Sequence, residues 1–207
     1  MSSSKKTKEL VQLSLMAAIV VVVAFVPFLG FIPLVVIKAT TVHIPVIVGA
    51  ILLGPKAGGV LGGIFGLTSI IKNTMEPSLV SFVFTPFVPV PGQSSGDLRA
   101  LFIALAPRIL VGVVAGLVYQ ALSKSDPKKR MACAVAAFAG SMTNTCLVMG
   151  SIYFMFGQEY AAAQQIAFEA LAKALMVVVA TNGVAEAFVA VVFSVVIAPP
   201  LMKLIRT

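Results

Sequence analysis

LRALFIALAPRILVGVVAGLVYQAL, residues 98–122, is an apolar run carrying two charges, Arg99 at its edge and Arg108 within it. At about 1.5 Å of rise per helical residue it is long enough to cross a hydrocarbon layer of about 30 Å. The chain around it has the same character. It is 59% hydrophobic and 11% charged, with a mean hydropathy of +1.07, whereas soluble domains carry about a quarter charged residues. Working outward from 98–122, apolar periods predict further spans at about 9–26, 40–53, 55–71, 131–156 and 175–198. The expectation is an all-α integral membrane protein: one transmembrane domain over 1–207, with six helices and both termini cytoplasmic.

Local signals place the ends. Val26-Pro27 stops the first span, since the residue before proline disfavours the helical region, and an outer loop runs to Ala39. Gly54-Pro55 joins spans two and three as a tight hairpin, glycine closing one helix and proline opening the next. Residues 72–97 hold Pro77, Pro86, Pro89 and Pro91 among Phe82, Phe84 and Phe87, which predicts a structured loop dipping into the outer membrane face. Pro199-Pro200 is expected to end the sixth span. An N-terminal signal peptide is disfavoured, because the first apolar run is long and no A-x-A site follows it.

Lysine and arginine accumulate in short cytoplasmic loops. With both ends inside, that face holds Lys5, Lys6, Lys8, Lys56, Lys124, Lys128, Lys129, Arg130, Lys203 and Arg206 against Glu9 and Asp126, which is the whole net charge of +8. The opposite face balances Lys38, Lys72, Arg99 and Lys173 against Glu76, Asp97, Glu159 and Glu169. This distribution follows the ends of the apolar runs, so it marks membrane orientation and not a nucleic-acid footprint.

Arg108 and Glu186 fall inside predicted spans, where a charge costs at least about 2.5–3.5 kcal/mol. Counted at about 1.5 Å per residue from the cytoplasmic ends, Arg108, Asn144 and Glu186 lie at about 21, 20 and 24 Å. Thr143-Asn144-Thr145 and Thr181-Asn182 add polar groups near that depth. Two readings stay open: an outward pocket, or an Arg108–Glu186 pair tying two spans together with the threonines bonded back to their own helices. His43 is the one histidine in the chain. Cys133 and Cys146 stand about 20 Å apart along one predicted helix, too far for a disulfide or a shared metal. No catalytic constellation, metal site, nucleotide loop or cofactor motif emerges. The glycines from 54 to 66 read as close helix packing.

Five stretches taken in order resemble the substrate-binding (S) components of energy-coupling factor (ECF) transporters, bacterial vitamin importers. They are VPFLG at 26–30, TVHIPVIVGAILLGPKAG at 41–58, APRILVG at 106–112, GSMTNT at 140–145 and NGVAEA at 182–187. The resemblance implies an outward pocket roofed by the loops after spans one, three and five, in a cell-membrane subunit surrounded by lipid that hydrolyses nothing. It implies a solute handed to a transmembrane coupling subunit driven by two ATPases, with docking through small residues of the first helix, here Ser14, Ala17 and Ala18. Within the family the resemblance is greatest to components for pantothenate, whose carboxylate, amide and hydroxyls suit Arg108, Asn144, Thr143 and Asn182. The expected solute-binding set is His43, Asn73, Arg108, Thr143, Asn144, Tyr153, Asn182 and Glu186. Riboflavin or another vitamin, or a stand-alone secondary carrier coupled through Glu186, are the alternatives.

Overall fold

The computed structural model describes the backbone of residues 3–26, 31–34 and 37–206, and the side chains of 6–26 and 40–204. Pro27, the 27–30 part of VPFLG and residues 35–36 of the expected loop lie outside the described residues, as do the side chains of 31–34 and 37–39. The helices are α1 (Ser3–Phe25), α2 (His43–Leu53), α3 (Pro55–Met75), α4 (Arg99–Leu122), α5 (Arg130–Ala163), α6 (Phe168–Val178) and α7 (Val184–Arg206). Among the described residues, 6–25, 99–122, 130–163 and 168–204 are long and apolar enough to cross a membrane. The last of these joins α6 to α7 through a single wide turn, Val179–Gly183. The connection before α2, expected as a loop, contains a small antiparallel hairpin, β1 (Phe31–Leu34) with β2 (Ile37–Thr40), Phe31 facing Thr40.

Gly54 adopts φ 93° between α2 and α3, a left-handed value natural to glycine, and Pro55 occupies the start of α3. The hairpin is therefore built as its two residues require. α2 has eleven residues, about 16 Å of helix, so it begins at His43 and not at residue 40.

The α3–α4 seam positions Arg108. A Cβ at Gly62 would stand 2.1 Å from the Arg108 carbonyl oxygen, and one at Gly112 would stand 2.0 Å from that of Gly58. The two backbones touch, which is what small residues in register permit. Gly112→Val should therefore push the helices apart and cost the upper end of the about 1–3 kcal/mol typical of overpacking. The check is a thermal melt in detergent; a midpoint within a degree of the parent would show that the seam yields freely.

Several element ends fall beyond their expected positions, among them that of α3, which runs past residue 71 to Met75, and the start of α1, at Ser3 and not about residue 9. α7 runs through Pro199 and Pro200 to Arg206: proline removes one amide donor but does not forbid a helix, and hydrocarbon leaves the backbone few other ways to satisfy its groups. α5 continues past residue 156 to Ala163 across a break at Phe156 (φ −135°, ψ 23°). The Arg99 guanidinium lies 4.4 Å over the Phe156 ring, bonds the Met155 carbonyl and pairs with Asp97 and Glu159 at 2.8 and 3.4 Å. It thus covers the carbonyl the break exposes. The Arg99 backbone amide and guanidinium in turn hold the Asp97 carboxyl below its usual range. Finally, α6 begins at Phe168, ahead of the sixth span expected from about residue 175.

The proline-rich connection 76–98 is structured, as expected. Phe82, Val83 and Val90 are buried in it, and Phe82 meets Phe156 edge to face at 5.8 Å. Its start is fastened to the end of α3: Ser81 Oγ donates to Asn73 Oδ1 at 2.9 Å, and the Thr74 and Thr85 hydroxyls lie 2.6 Å apart.

Candidate functional site

Under that connection lies a cavity of about 240 Å³. Ala24 from the end of α1, Thr40 and Val42 before α2, and Ser78, Val80 and Phe84 of the connection contribute to its wall. α3 supplies Phe65, Thr68, Ser69, Lys72 and Asn73, and α4 supplies Arg108. The α3 residues recur at helical spacing, so one face of α3 forms the polar side. Larger hollows of about 690 and 490 Å³ open among Lys6 to Val60 and Pro127 to Lys203. They are wide grooves between helix ends. The smaller cavity gathers convergent polar groups around a buried cation, the pattern expected of a solute site.

Arg108 is 7% exposed. It donates to the Ile103 carbonyl at 2.5 Å, and its guanidinium carbon lies 5.6 and 5.1 Å from the ring centroids of Phe65 and Phe84. Both distances allow cation–π attraction. Arg108 Nε is buried without a hydrogen-bond partner. The ion pairs among the described residues are those of Arg99, so Arg108 and Glu186 are not tied by contact. Glu186 instead accepts from the Thr40 amide at 2.8 Å, directly behind the cavity wall. An Arg–Glu strut is not what holds Arg108 in place.

The other expected residues divide. Asn73 lines the cavity, its amide donating to the Ser69 carbonyl at 2.9 Å. His43 is 1% exposed, with Nε2 3.2 Å from Ser141 Oγ; Nδ1 has the Thr40 backbone as neighbour without closing a good hydrogen bond. Asn144 Oδ1 is buried and unpartnered. Thr143 bonds back to the Ala139 carbonyl at 2.7 Å, Tyr153 stacks on Phe168 at 5.8 Å, and Asn182 accepts from the Thr181 hydroxyl at 3.1 Å. These three, with His43, Asn144 and Glu186, are not among the residues that line the cavity. Sequence reasoning missed Thr40, Thr68, Ser69, Lys72 and Ser78. The stripe Phe65, Thr68-Ser69, Lys72-Asn73, at i, i+3, i+4, i+7 and i+8, was the available signal.

On α1, Ser14 and Ala18 are exposed, whereas Ala17 is partly buried against the core.

Residues 8–201 match the ECF transporter, substrate-specific component. The chain belongs to that family. It is 37% identical over 203 residues to the pantothenic acid transporter PanT of Lactococcus lactis subsp. cremoris (strain MG1363), covering 98% of this chain and 97% of that one. Over 122 residues it is 34% identical to the pantothenate transporter PanT of Leuconostoc mesenteroides subsp. mesenteroides, covering 56% and 53%. Its fold is similar to the crystal structure of the S-component for biotin from an ECF-type ABC transporter, with a TM-score of 0.60 at 16% identity over 98% and 95% of the two chains. The ECF S component is thus a membrane-embedded, mainly helical transporter subunit and not an enzyme. Such components bind a vitamin and work with an ECF module.

Proposed function

We propose that this S component captures pantothenate at the outer face and hands it to a transmembrane coupling subunit driven by two ATPases. The observation that carries the solute is the charge of the cavity. Its described lining holds two cations, Lys72 and Arg108, and no carboxylate, so an anionic occupant is favoured. Its volume, about 240 Å³, lies below the about 300–1,000 Å³ of drug-sized sites and suits a small solute with one carboxylate. Asn73, Thr68 and Ser69 supply partners for amide and hydroxyl groups. Riboflavin would need a broad aromatic slot, and Phe65 and Phe84 are already engaged by Arg108. Names of relatives at 37% and 34% identity agree with pantothenate.

The test is a binding titration of detergent-purified protein with pantothenate, biotin and riboflavin, beside mass analysis of any small molecule it releases. Pantothenate should bind at least about a hundredfold more tightly than either competitor. Equal or tighter riboflavin binding would overturn the assignment.

Six crossings with both termini cytoplasmic is the topology we propose, supported by the one-sided net charge. In a Cys146→Ser background, since Cys146 is exposed, cysteines placed at Lys56 and Ser125 should label from the cytoplasm alone. Those at Ser95 and Gln164 should label from outside alone. Labelling at Ser125 in intact cells would reverse the orientation.

A further inference from the structure

Two observations outside the expected site meet at Lys72. It stands in the last turn of α3 and on the wall of the cavity. Its ammonium also donates to the Ala24 carbonyl at 3.1 Å. Ala24 belongs to the last turn of α1, where carbonyls lack partners within the helix and the helix dipole favours a cation. One side chain therefore joins the solute cavity to the end of α1.

α1 is the span least held by the rest of the chain. Of its apolar window 17% is buried, against 44% for α4 and for α5. Val20 and Ala24 are its buried positions among the described residues, and both sit in the half that Lys72 reaches. A bond to Ala24 thus acts at the end by which α1 is chiefly held.

We infer that Lys72 reports occupancy of the cavity to α1: when a carboxylate enters, the ammonium turns toward it, its grip on the Ala24 carbonyl weakens, and the outer end of α1 loosens. An ammonium has three donors on a flexible stem and follows the stronger acceptor. A carboxylate in a water-poor cavity is a stronger acceptor than a peptide carbonyl. Arg108 cannot play this part, because its guanidinium is fixed by Ile103, Phe65 and Phe84. The division of labour is a fixed cation that holds the anion and a mobile one that senses it. This rests on the carboxylate-bearing solute proposed above.

Hydrogen exchange on purified protein, followed by mass spectrometry, tests it, because local loosening appears as faster amide exchange. Saturating pantothenate should slow exchange in 76–98, which covers the cavity, and speed exchange in 20–26 by about threefold or more. The amide analogue, in which the carboxylate is replaced, should slow 76–98 without speeding 20–26. In Lys72→Met, 20–26 should exchange fast before any addition and stay unchanged on adding pantothenate. Slowed or unchanged exchange in 20–26 with 76–98 protected would overturn the inference and leave the solute assignment standing. So would a Lys72→Met protein that matches the parent in 20–26. If pantothenate protects neither segment, the solute assignment itself fails, and the inference with it.

Discussion

Arg108→Lys is expected to weaken pantothenate binding by about thirty- to a hundredfold while changing affinity for the amide analogue by less than about threefold. The guanidinium is a planar fork, and a carboxylate entering a low-dielectric cavity can replace lost hydration with two parallel charge-assisted hydrogen bonds. Lysine keeps the charge and loses the fork. In the fold, Arg108 already gives one nitrogen to the Ile103 carbonyl and lies within reach of two aromatic rings, so its orientation is set before the solute arrives. Lysine has donors for both Ile103 and the anion but no planar fork, so it cannot hold the carbonyl and grip the carboxylate with two parallel bonds at once. Truncating a desolvated charge contact costs about 2–5 kcal/mol, and each 1.4 kcal/mol is tenfold in affinity; the conservative exchange lies at the lower end of that range. If Arg108 is merely structural, the acid and the amide lose affinity equally and the melting temperature falls with them. A titration with both compounds beside a thermal melt separates the cases, and equal losses would sink the carboxylate role.

What was legible in the sequence follows from which physics acts locally. Apolar period and the one-sided distribution of lysine and arginine carry helix existence, and Gly54-Pro55 carries its hairpin because both residues have strong backbone preferences of their own. The site was less legible. Counting rise along each helix put Arg108, Asn144 and Glu186 at one depth, but depth does not give rotation. Thr143, Asn144 and Thr145 are consecutive, so they point about 100° apart. Thr143 bonds to its own helix, Asn144 Oδ1 is buried without a partner, and Thr145 packs against Gly183. The polar face that lines the cavity belongs to α3, whose last turn extends beyond the apolar run that marks the span in the sequence. Thr68 and Ser69 lie within the expected span but on a face that the glycine packing pattern does not single out, and Lys72 and Asn73 fall beside prolines that begin two residues after α3 ends. Helix ends that tertiary contacts decide, such as the part of α5 beyond Phe156 that Arg99 covers, leave no local signal.

Ala18→Trp is expected to lower uptake by tenfold or more in proteoliposomes holding the complete transporter, while the purified S component binds pantothenate within about twofold of the parent. Small side chains on a membrane helix let another backbone approach closely, and association there depends on that packing. Ser14 and Ala18 are exposed one turn apart on α1, so an indole at 18 meets lipid in the isolated subunit and obstructs a helix that tries to dock. Ala17 serves as the internal control. It packs against the core, so Ala17→Trp should lower the melting temperature and disturb binding as well as uptake. Distinct outcomes at adjacent positions would locate the docking face by rotation and not by sequence proximity. Should the purified Ala18→Trp protein lose its solute, Ala18 would belong to packing within the chain, and the docking face would have to be sought on another helix.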